Sequence, residues 1–341
     1  MMNLLDQSFL ELSTRLGSNP MLIQGGGGNT SIKSESCIWI KASGKWLMNA
    51  KSDSMFIPLD YKIAMSDVKS GDDKFRASRV YSDNNELRPS IETAFHVMIP
   101  YNVVLHVHSI NVLVFSVQKH GRSKLKKLLK GLDWAWVNYV KPGIQLSQEI
   151  ELSLKNKAPR IFILGNHGLI IAGDNCVDAE ALLLEVERRL TVPVKNIQSS
   201  NNTLLLSLAE KIDWFLPLYE EVHYLGIDSF SFKTLLNGPL YPDHVVFLGG
   251  VAPVMRKGED PVECLLKYNS LHKCSANHLI IEGQGVLVSP SISQASQEML
   301  LCLAKLMMRL PNNEDLRYLT NNEVMELVDW DAEKYRKELV K

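Results

Sequence analysis

Residues 89 to 108 read PSIETAFHVMIPYNVVLHVH, and this stretch joins a helix pattern directly to a strand pattern. Apolar residues at helical spacing occupy its first part, and Pro100 ends the predicted helix. The following segment, 103 to 108, reads as a strand, so His106 and His108 project from the same face of a sheet. Two imidazoles on one face form a ready pair of metal ligands.

A third histidine and a carboxylate complete a candidate metal site. His167 lies in LGNHGL at 164 to 169, a glycine-flanked break between two apolar runs that predicts a tight turn. Glu92 comes from the predicted helix that runs into the histidine strand. Three histidines with a nearby carboxylate favour a catalytic zinc site, and ordinary core or surface roles for the histidines are the alternative.

A glycine-rich loop, GGGGNTS at 25 to 31, precedes the first predicted strands. It does not match a dinucleotide-binding fingerprint well, because the glycines lead into a β segment rather than a helix. It is not a Walker loop, since no Gly-Lys-Ser/Thr closes it. The functional interpretation that remains is an anion cradle of backbone N–H groups with Asn29, Thr30 or Ser31, and a flexible turn is the alternative.

Composition limits the class of protein. The chain has 341 residues, 45% of them hydrophobic, which suits one large domain or two ordinary ones with a well-buried core. With 37 Lys+Arg and 38 Asp+Glu, the formal net charge of -1 argues against a general affinity for nucleic acid. Neither a basic-then-apolar leader nor a run of about 18 apolar residues is evident, so we expect a cytoplasmic protein without membrane insertion.

The cysteines give no sign of a second site. The five are widely spaced and contain no CxxC pair, which predicts reduced thiols rather than a disulfide framework. The cluster Cys264, His272, Cys274 and His278 has spacings of eight, two and four, which do not match close-paired zinc ligands. We interpret this cluster as incidental.

Helix and strand patterns divide the chain into two predicted domains. Residues 1–200 form the metal-binding catalytic domain, and residues 201–341 form a C-terminal α/β extension. The extension contains a weak internal repeat of two segments of the first domain, and the repeated segments lack every metal-type histidine. A degenerate partial repeat of this kind would serve as scaffold. Chance resemblance between β segments is the alternative. The paired segments are 242–250 with 100–108, and 280–288 with 162–171.

At these motifs the sequence resembles the class II aldolase/adducin family. The matching motifs follow the family's order over about residues 5 to 192, and the ordered set is far more specific than any single motif. They are Gly27-Gly28-Asn29-Thr30-Ser31, Ala42-Ser43-Gly44, Ser90-Ile91-Glu92 with His96 four beyond, His106-Val107-His108 and Gly165-Asn166-His167-Gly168-Leu169. Segments 241–244 and 283–285 are similar to the aldolase part of long bacterial proteins that fuse a rhamnulose-phosphate-aldolase-like domain to a short-chain dehydrogenase.

The resemblance implies a three-layer α/β/α sandwich around a central, mostly antiparallel β-sheet, usually assembled as a homotetramer with active sites between subunits. It implies Zn²⁺, or another divalent metal, on His106, His108 and His167. Glu92 would be a fourth ligand in the resting site and the acid/base when substrate displaces it, and His96 would be structural. The residues implied to hold a sugar or sugar-phosphate substrate are Gly28, Asn29, Thr30, Ser43, Gly44 and Ser90.

The activity implied is retro-aldol cleavage of a ketose 1-phosphate or related sugar to dihydroxyacetone phosphate and an aldehyde. Elementary chemistry agrees with this activity. Cleavage leaves an enediolate whose negative charge a Lewis acid can stabilise, and a carboxylate beside the metal can move the proton. Sugar-phosphate epimerases, dehydratases and decarboxylases use the same metal site, so they remain alternatives. Adducin-like members keep the fold as a non-catalytic interaction module, and the retained Glu92 and histidines count against that class.

The sequence departs from the family's aldolase pattern at two positions. Ile91 stands where sugar-phosphate aldolases carry a second serine, which removes one hydroxyl from the phosphate pocket. The tyrosine that donates a proton to the aldehyde has no counterpart at the expected distance after His108, and Tyr139 is the nearest candidate. These departures concern the substrate and the reaction rather than the metal ligands.

Overall fold

The computed structural model divides the chain into two compact units. The first comprises Met1–Thr191 and Trp330–Val340, and the second comprises Val192–Asp329. None of the helices in the described part of the chain has both the length and the hydropathy that a membrane span requires. The described residues are 5–80, 87–155, 158–196 and 200–339.

In the described part of the first unit, seven strands and seven α-helices precede residue 191. The strands are β1 Asn29–Lys33, β2 Cys37–Lys41, β3 Phe56–Asp60, β4 Val103–Val107, β5 Trp134–Val137, β6 Ile161–Leu164 and β7 Gly168–Gly173. The helices are α1 Gln7–Gly17, α2 Tyr61–Ser70, α3 Thr93–Met98, α4 Ile110–Ser116, α5 Gly121–Leu128, α6 Ile144–Leu154 and α7 Cys176–Leu190, with a 3-10 turn at Leu47–Asn49.

All seven strands belong to one sheet in the order β3-β2-β1-β4-β7-β6-β5. Every neighbouring pair is antiparallel except β5 with β6, which is parallel and joined through α6. Helices α2, α3 and α6 cover one face, where Val104 and Ile170 pack in the same apolar cluster as Phe95 and Ile150. Since strand residues alternate between faces, His106 points to the same side as Val104. The predicted sandwich with a mostly antiparallel sheet is confirmed.

The second unit has a smaller three-stranded sheet in the order β10-β9-β8. Its strands are β8 Val254–Met255, β9 His278–Ile281 and β10 Gly285–Val288. Its helices are α8 Asn202–Ile212, α9 Tyr224–Ile227, α10 Ser229–Leu236, α11 Pro242–Leu248, α12 Pro261–His272, α13 Gln294–Met307 and α14 Asn321–Val328, with a 3-10 turn at Glu220–His223. Leu205, Leu279 and Leu287 lie in an apolar cluster of this unit's own.

The two units share one succession of elements. In the first, β5 is followed by α6, by β6 parallel to β5, by the antiparallel β7 and by α7. In the second, β8 is followed by α12, by β9 parallel to β8, by the antiparallel β10 and by α13. The paired segments 280–288 and 162–171 therefore both form the antiparallel hairpin, at the same point in this succession of elements.

The other pair of segments, 242–250 with 100–108, does not have the same secondary structure, so that part of the prediction is wrong. Residues 242–248 form helix α11, whereas the segment paired with them contains strand β4. Pro242 occupies the first turn of α11, where its missing N–H costs no intrahelical hydrogen bond. A short apolar run does not by itself distinguish a buried strand from a buried helix.

The last helix, α15 (Asp331–Leu339), is grouped with the first unit, whereas the sequence-based division placed it in the extension. Contacts of Trp330, the residue before the helix, and of Tyr335 on it explain the grouping. Lys141 Nζ lies 4.4 Å from the ring centroid of Trp330, and the guanidinium of Arg88 lies 4.1 Å from that of Tyr335. Such cation–π contacts add to apolar packing.

Candidate metal centre

Three buried histidines meet at one end of the sheet. His106 lies on β4, His108 follows the end of that strand, and His167 lies in the turn between β6 and β7. Strand β7 pairs with β4, so the turn that precedes β7 comes to the end of β4. One nitrogen from each ring lies within 4.8 Å of the others, and Nε2 of His106 is 3.2 Å from Nε2 of His108.

The backbone of the turn explains why glycine flanks His167. Asn166 adopts a left-handed conformation with φ of 52°, which asparagine tolerates better than most residues. A Cβ on Gly168 would lie 2.6 Å from the carbonyl oxygen of Val107, so a larger residue would push β7 away from β4. The glycine therefore permits the close approach that brings His167 to the other two rings.

Glu92 lies against these rings. Its Oε2 is 3.3 Å from His106 Nε2, and its Oε1 is 3.6 Å from His167 Nε2. The residue occupies the N-cap position before α3 rather than a helical position, because Ser90 holds a turn by accepting from the Glu92 N–H at 3.3 Å and from the Thr93 N–H at 3.0 Å. Asn29 Nδ2 donates to Glu92 Oε2 at 2.9 Å.

The surroundings of Glu92 favour a carboxylate. Burial raises its pKa, but the neighbouring imidazoles, His106 foremost, and the hydrogen bond from Asn29 outweigh burial and hold the pKa below its usual value. Glu92 Oε1 accepts no hydrogen bond from the described residues. A buried carboxylate oxygen without a donor, facing histidine nitrogens, is the environment that a cation would satisfy.

The four side chains fit a divalent metal. His106 Nδ1 lies 3.1 Å from the carbonyl oxygen of Leu169, and donation to that carbonyl leaves the lone pair of Nε2 directed at the cluster. Imidazole nitrogens with one carboxylate oxygen are a donor set that Zn²⁺ accepts. Among the residues that the structure describes, His106, His108 and His167 form the one group of three or more His, Cys, Asp or Glu side chains that could hold a metal ion.

The residues predicted to hold phosphate lie on three segments of the chain. Asn29 Nδ2 is 3.2 Å from Ser90 Oγ, and the Ser43 N–H donates to the carbonyl of Arg88 at 2.9 Å. Gly28 has a φ of 57°, and a Cβ there would lie 2.8 Å from the carbonyl oxygen of His106. The glycine loop, the Ser43 turn and the Ser90 turn are thus brought together beside the histidines.

Two predicted substrate residues have other surroundings. Thr30 points to the opposite face of β1 from Asn29, where its Oγ1 lies 2.8 Å from Ser13 Oγ on α1. Strand alternation makes this unavoidable, so the Thr30 side chain is not part of the cluster. Gly44 is covered by α15, since a Cβ on it would lie 2.8 Å from the Leu339 side chain.

Sequence reasoning missed two charged residues near the centre. Lys41 is buried at the end of β2, and its Nζ donates to the carbonyls of Gly26 at 3.3 Å and Ala42 at 3.5 Å. Glu187, on α7, accepts from Asn111 Nδ2 at 2.8 Å and from the hydroxyl of Ser109, the residue after His108. A lysine ending an apolar strand just before the Ser43 turn was the available signal for Lys41.

The two departures from the aldolase pattern lie close to the site. The backbone of Tyr139 adjoins the His167 turn, because a Cβ on Gly165 would lie 3.2 Å from the Tyr139 nitrogen. The Tyr139 hydroxyl is buried. Ile91 lies between Ser90 and Glu92 in the turn that the Thr93 N–H closes on the Ser90 carbonyl.

Comparison with known proteins identifies relatives of the first unit. A sequence model described as the Class II Aldolase and Adducin N-terminal domain matches residues 7–193. An uncharacterized oxidoreductase of Bacillus subtilis, YuxG, is 28% identical over 179 residues, which cover 48% of this chain and 25% of that protein. The chain therefore matches only about a quarter of the length of that curated relative.

Solved structures are similar over the same region. An N-terminal class II aldolase domain from Thermoplasma acidophilum has 24% identity and a TM-score of 0.48, covering 56% of this chain and 93% of that one. An l-fuculose-1-phosphate aldolase from Thermus thermophilus has 13% identity and a TM-score of 0.38, covering 60% and 94%. Because the family's sequence model matches more than half of the 341 residues, the protein belongs to the class II aldolase and adducin N-terminal domain family.

Proposed function

We propose that this protein is a metal-dependent lyase that cleaves a ketose 1-phosphate, or a related sugar, by a retro-aldol reaction. The observation that carries the proposal is the meeting of three histidine nitrogens within 4.8 Å of one another, with the Glu92 carboxylate 3.3 Å from His106. An interaction module has no evident need for a buried carboxylate among histidines. Family membership supports the same class of chemistry.

His106, His108 and His167 would hold Zn²⁺ or another divalent ion, with Glu92 as a fourth ligand in the resting site. Such an ion would supply a Lewis acid for the negative charge that develops when the carbon–carbon bond breaks. The bonding electron pair stays on the dihydroxyacetone phosphate half of the substrate, and its carbon gains one proton while the hydroxyl of the aldehyde half loses one. We propose that Tyr139 relays the hydroxyl proton, and that Glu92, a carboxylate at rest, takes up this proton and delivers it to the carbon.

A negatively charged substrate suits the opposite end of the cluster. Lys41 places its buried Nζ between the carbonyls of Gly26 and Ala42, beside the Ser43 turn, where it could donate to an anion. The backbone at Gly28 and the short polar side chains of Asn29, Ser43 and Ser90 would supply further hydrogen-bond donors there. We propose that these groups bind the substrate phosphate. Because Ile91 replaces a serine of the family's aldolases, the pocket would have one hydroxyl fewer.

We also propose that the active form is a homotetramer. Light scattering of the purified protein would then give four times the chain mass of 38.4 kDa. A monomeric mass at assay concentration, with full activity, would exclude that assembly.

Metal analysis tests the site directly. We expect about one equivalent of divalent metal per chain in the purified protein and a stoichiometric loss in His106→Ala. His278→Ala is the matched control, because His278 is also buried but lies in the second unit. A parent protein without bound metal that is unaffected by His106→Ala would place the chain with the non-catalytic members.

A substrate panel tests the reaction. Ketose 1-phosphates and unphosphorylated sugar acids would be incubated with the metal-loaded protein, and dihydroxyacetone phosphate and aldehydes measured. Glu92→Gln should abolish product formation, because an amide of similar shape cannot transfer the proton. Epimerised, dehydrated or decarboxylated products without dihydroxyacetone phosphate would reject the aldolase in favour of another reaction at the same site.

A further inference from the structure

A chain of hydrogen bonds leads from Glu92 to a histidine that the proposed chemistry does not use. Asn29 Nδ2 donates to Glu92 Oε2, and Asn29 Oδ1 is in hydrogen-bond contact with Nε2 of His96. The other ring nitrogen of His96, Nδ1, lies 2.7 Å from the hydroxyl of Ser31. All four residues are buried, with His96 fully inaccessible to solvent.

The donors and acceptors in this chain have one consistent arrangement. A side-chain amide oxygen only accepts, so His96 Nε2 must carry the proton that it shares with Asn29. Nδ1 of the neutral ring then accepts from the Ser31 hydroxyl. With its oxygen held by His96, Asn29 directs its two amide hydrogens at Ser90 Oγ and Glu92 Oε2.

Strand β1 holds His96 in place at both ends. Asn29, Ser31 and Lys33 alternate along one face of β1, and all three contact His96. Lys33 Nζ donates to the His96 carbonyl at 2.6 Å and to the carbonyl of Ile99. The imidazole therefore has a fixed position, a fixed tautomer and a single receiver for its Nε2 proton.

We infer that His96 is a positioning residue that orients the Asn29 amide, and through it the Glu92 carboxylate, for metal binding and proton transfer. This inference rests on the proposed function, because Glu92 is the carboxylate assigned to the metal there. Outer groups that orient a ligand typically change metal affinity or activity by about 10- to 100-fold when removed. If His96 only filled space, metal affinity and activity would not depend on which of its two ring nitrogens a substitution preserves.

Two substitutions separate these roles. In His96→Gln the side-chain NH₂ reaches the Nε2 position and can still donate to Asn29 Oδ1. In His96→Asn the shorter amide reaches only the Nδ1 position, where it can bond Ser31 but not Asn29. Ser13→Ala is the control, because it removes a hydrogen bond of equal burial from the other face of β1.

The measurement is a Co²⁺ titration of metal-free protein followed by visible absorption, with kcat and KM measured in parallel. We expect His96→Asn to weaken Co²⁺ binding and lower kcat by about 10- to 100-fold, with KM changed less. His96→Gln should stay near the parent protein in both, and Ser13→Ala should match it. Equal losses in His96→Gln and His96→Asn would overturn the inference.

Three further variants keep the test decisive if His96→Asn folds poorly. Ser31→Ala releases Nδ1 and should shift Co²⁺ affinity in the same direction by a smaller factor. Asn29→Ala combined with Ser31→Ala should bind Co²⁺ as weakly as Asn29→Ala alone, and multiplied losses would contradict coupling through Asn29. A silent substrate panel with this cobalt pattern intact would reject the lyase but leave the positioning role standing.

Discussion

At the scale of single residues, the candidate metal centre depends on glycines that let backbone segments approach closely. Gly28 and Gly71 are a useful pair, because both have positive φ, of 57° and 78°. A Cβ on Gly28 would lie 2.8 Å from the His106 carbonyl oxygen, whereas a Cβ on Gly71 would meet nothing within 4 Å. The pair separates the cost of the backbone conformation from the cost of the close approach.

We predict that Gly71→Ala lowers the free energy of unfolding by about 1–2 kcal/mol, the cost of a left-handed conformation for an L-residue. Gly28→Ala should lower it by about 2–5 kcal/mol, because the methyl group also displaces the β4 backbone. Urea unfolding of metal-free protein would measure both values. Equal losses in the two variants would mean that the loop moves aside without cost.

The clustering of the three histidines was predictable from sequence because local rules fix the directions of their side chains. Period-two alternation places His106 and His108 on one side of a strand, and the glycines around His167 mark a turn. The surroundings of Lys41 and Glu187 depend on which strands pair and how the helices cover them. A single sequence carries no direct signal for those distant neighbours.

At the scale of elements, α3 is fixed to the sheet by a buried lysine. Lys33 Nζ donates to the carbonyls of His96 and Ile99 at the end of that helix. Burial lowers the pKa of Lys33 from about 10.5 to about 7. Above pH 7 the folded protein therefore holds a neutral amine there, whereas the unfolded chain remains protonated up to about pH 10.4.

This difference predicts how stability changes with pH. Between about pH 7 and 10 the unfolded state binds more protons than the folded state at this position, so the contribution of Lys33 to stability rises with pH. We expect the free energy of unfolding of the parent protein, minus that of Lys33→Met, to increase by up to about 1.4 kcal/mol per pH unit. Urea unfolding of both proteins at several pH values, with chelator present, measures it. Parallel curves would show that Lys33 stays charged when buried.

Elements of the second unit show where sequence patterns stop being decisive. The hairpin β9–β10 was foreseeable, because two apolar β runs flank glycines at 283 and 285. The run at 242–248 is a helix, and its seven residues are all buried. Burial on every side removes the amphipathic period that would have distinguished it from a strand.

At the scale of the whole molecule, all the proposed metal ligands lie in one of two compact units. Glu92, His106, His108 and His167 belong to Met1–Thr191, and Val192–Asp329 has its own sheet and apolar cluster. Ligand binding stabilises the cooperative unit that forms the site. Metal should therefore distinguish the two units energetically.

We predict that metal slows hydrogen exchange selectively. At about 100 times its dissociation constant, a ligand adds about 2.7 kcal/mol to the unit that binds it, which slows exchange through unfolding about 100-fold. Mass spectrometry of peptides from β4, β6 and β7 should show this slowing when metal replaces chelator, and peptides from α12, β9 and β10 should not. In His106→Ala, metal should have no effect on either set. Equal slowing of both sets in the parent protein would show that the two units unfold as one.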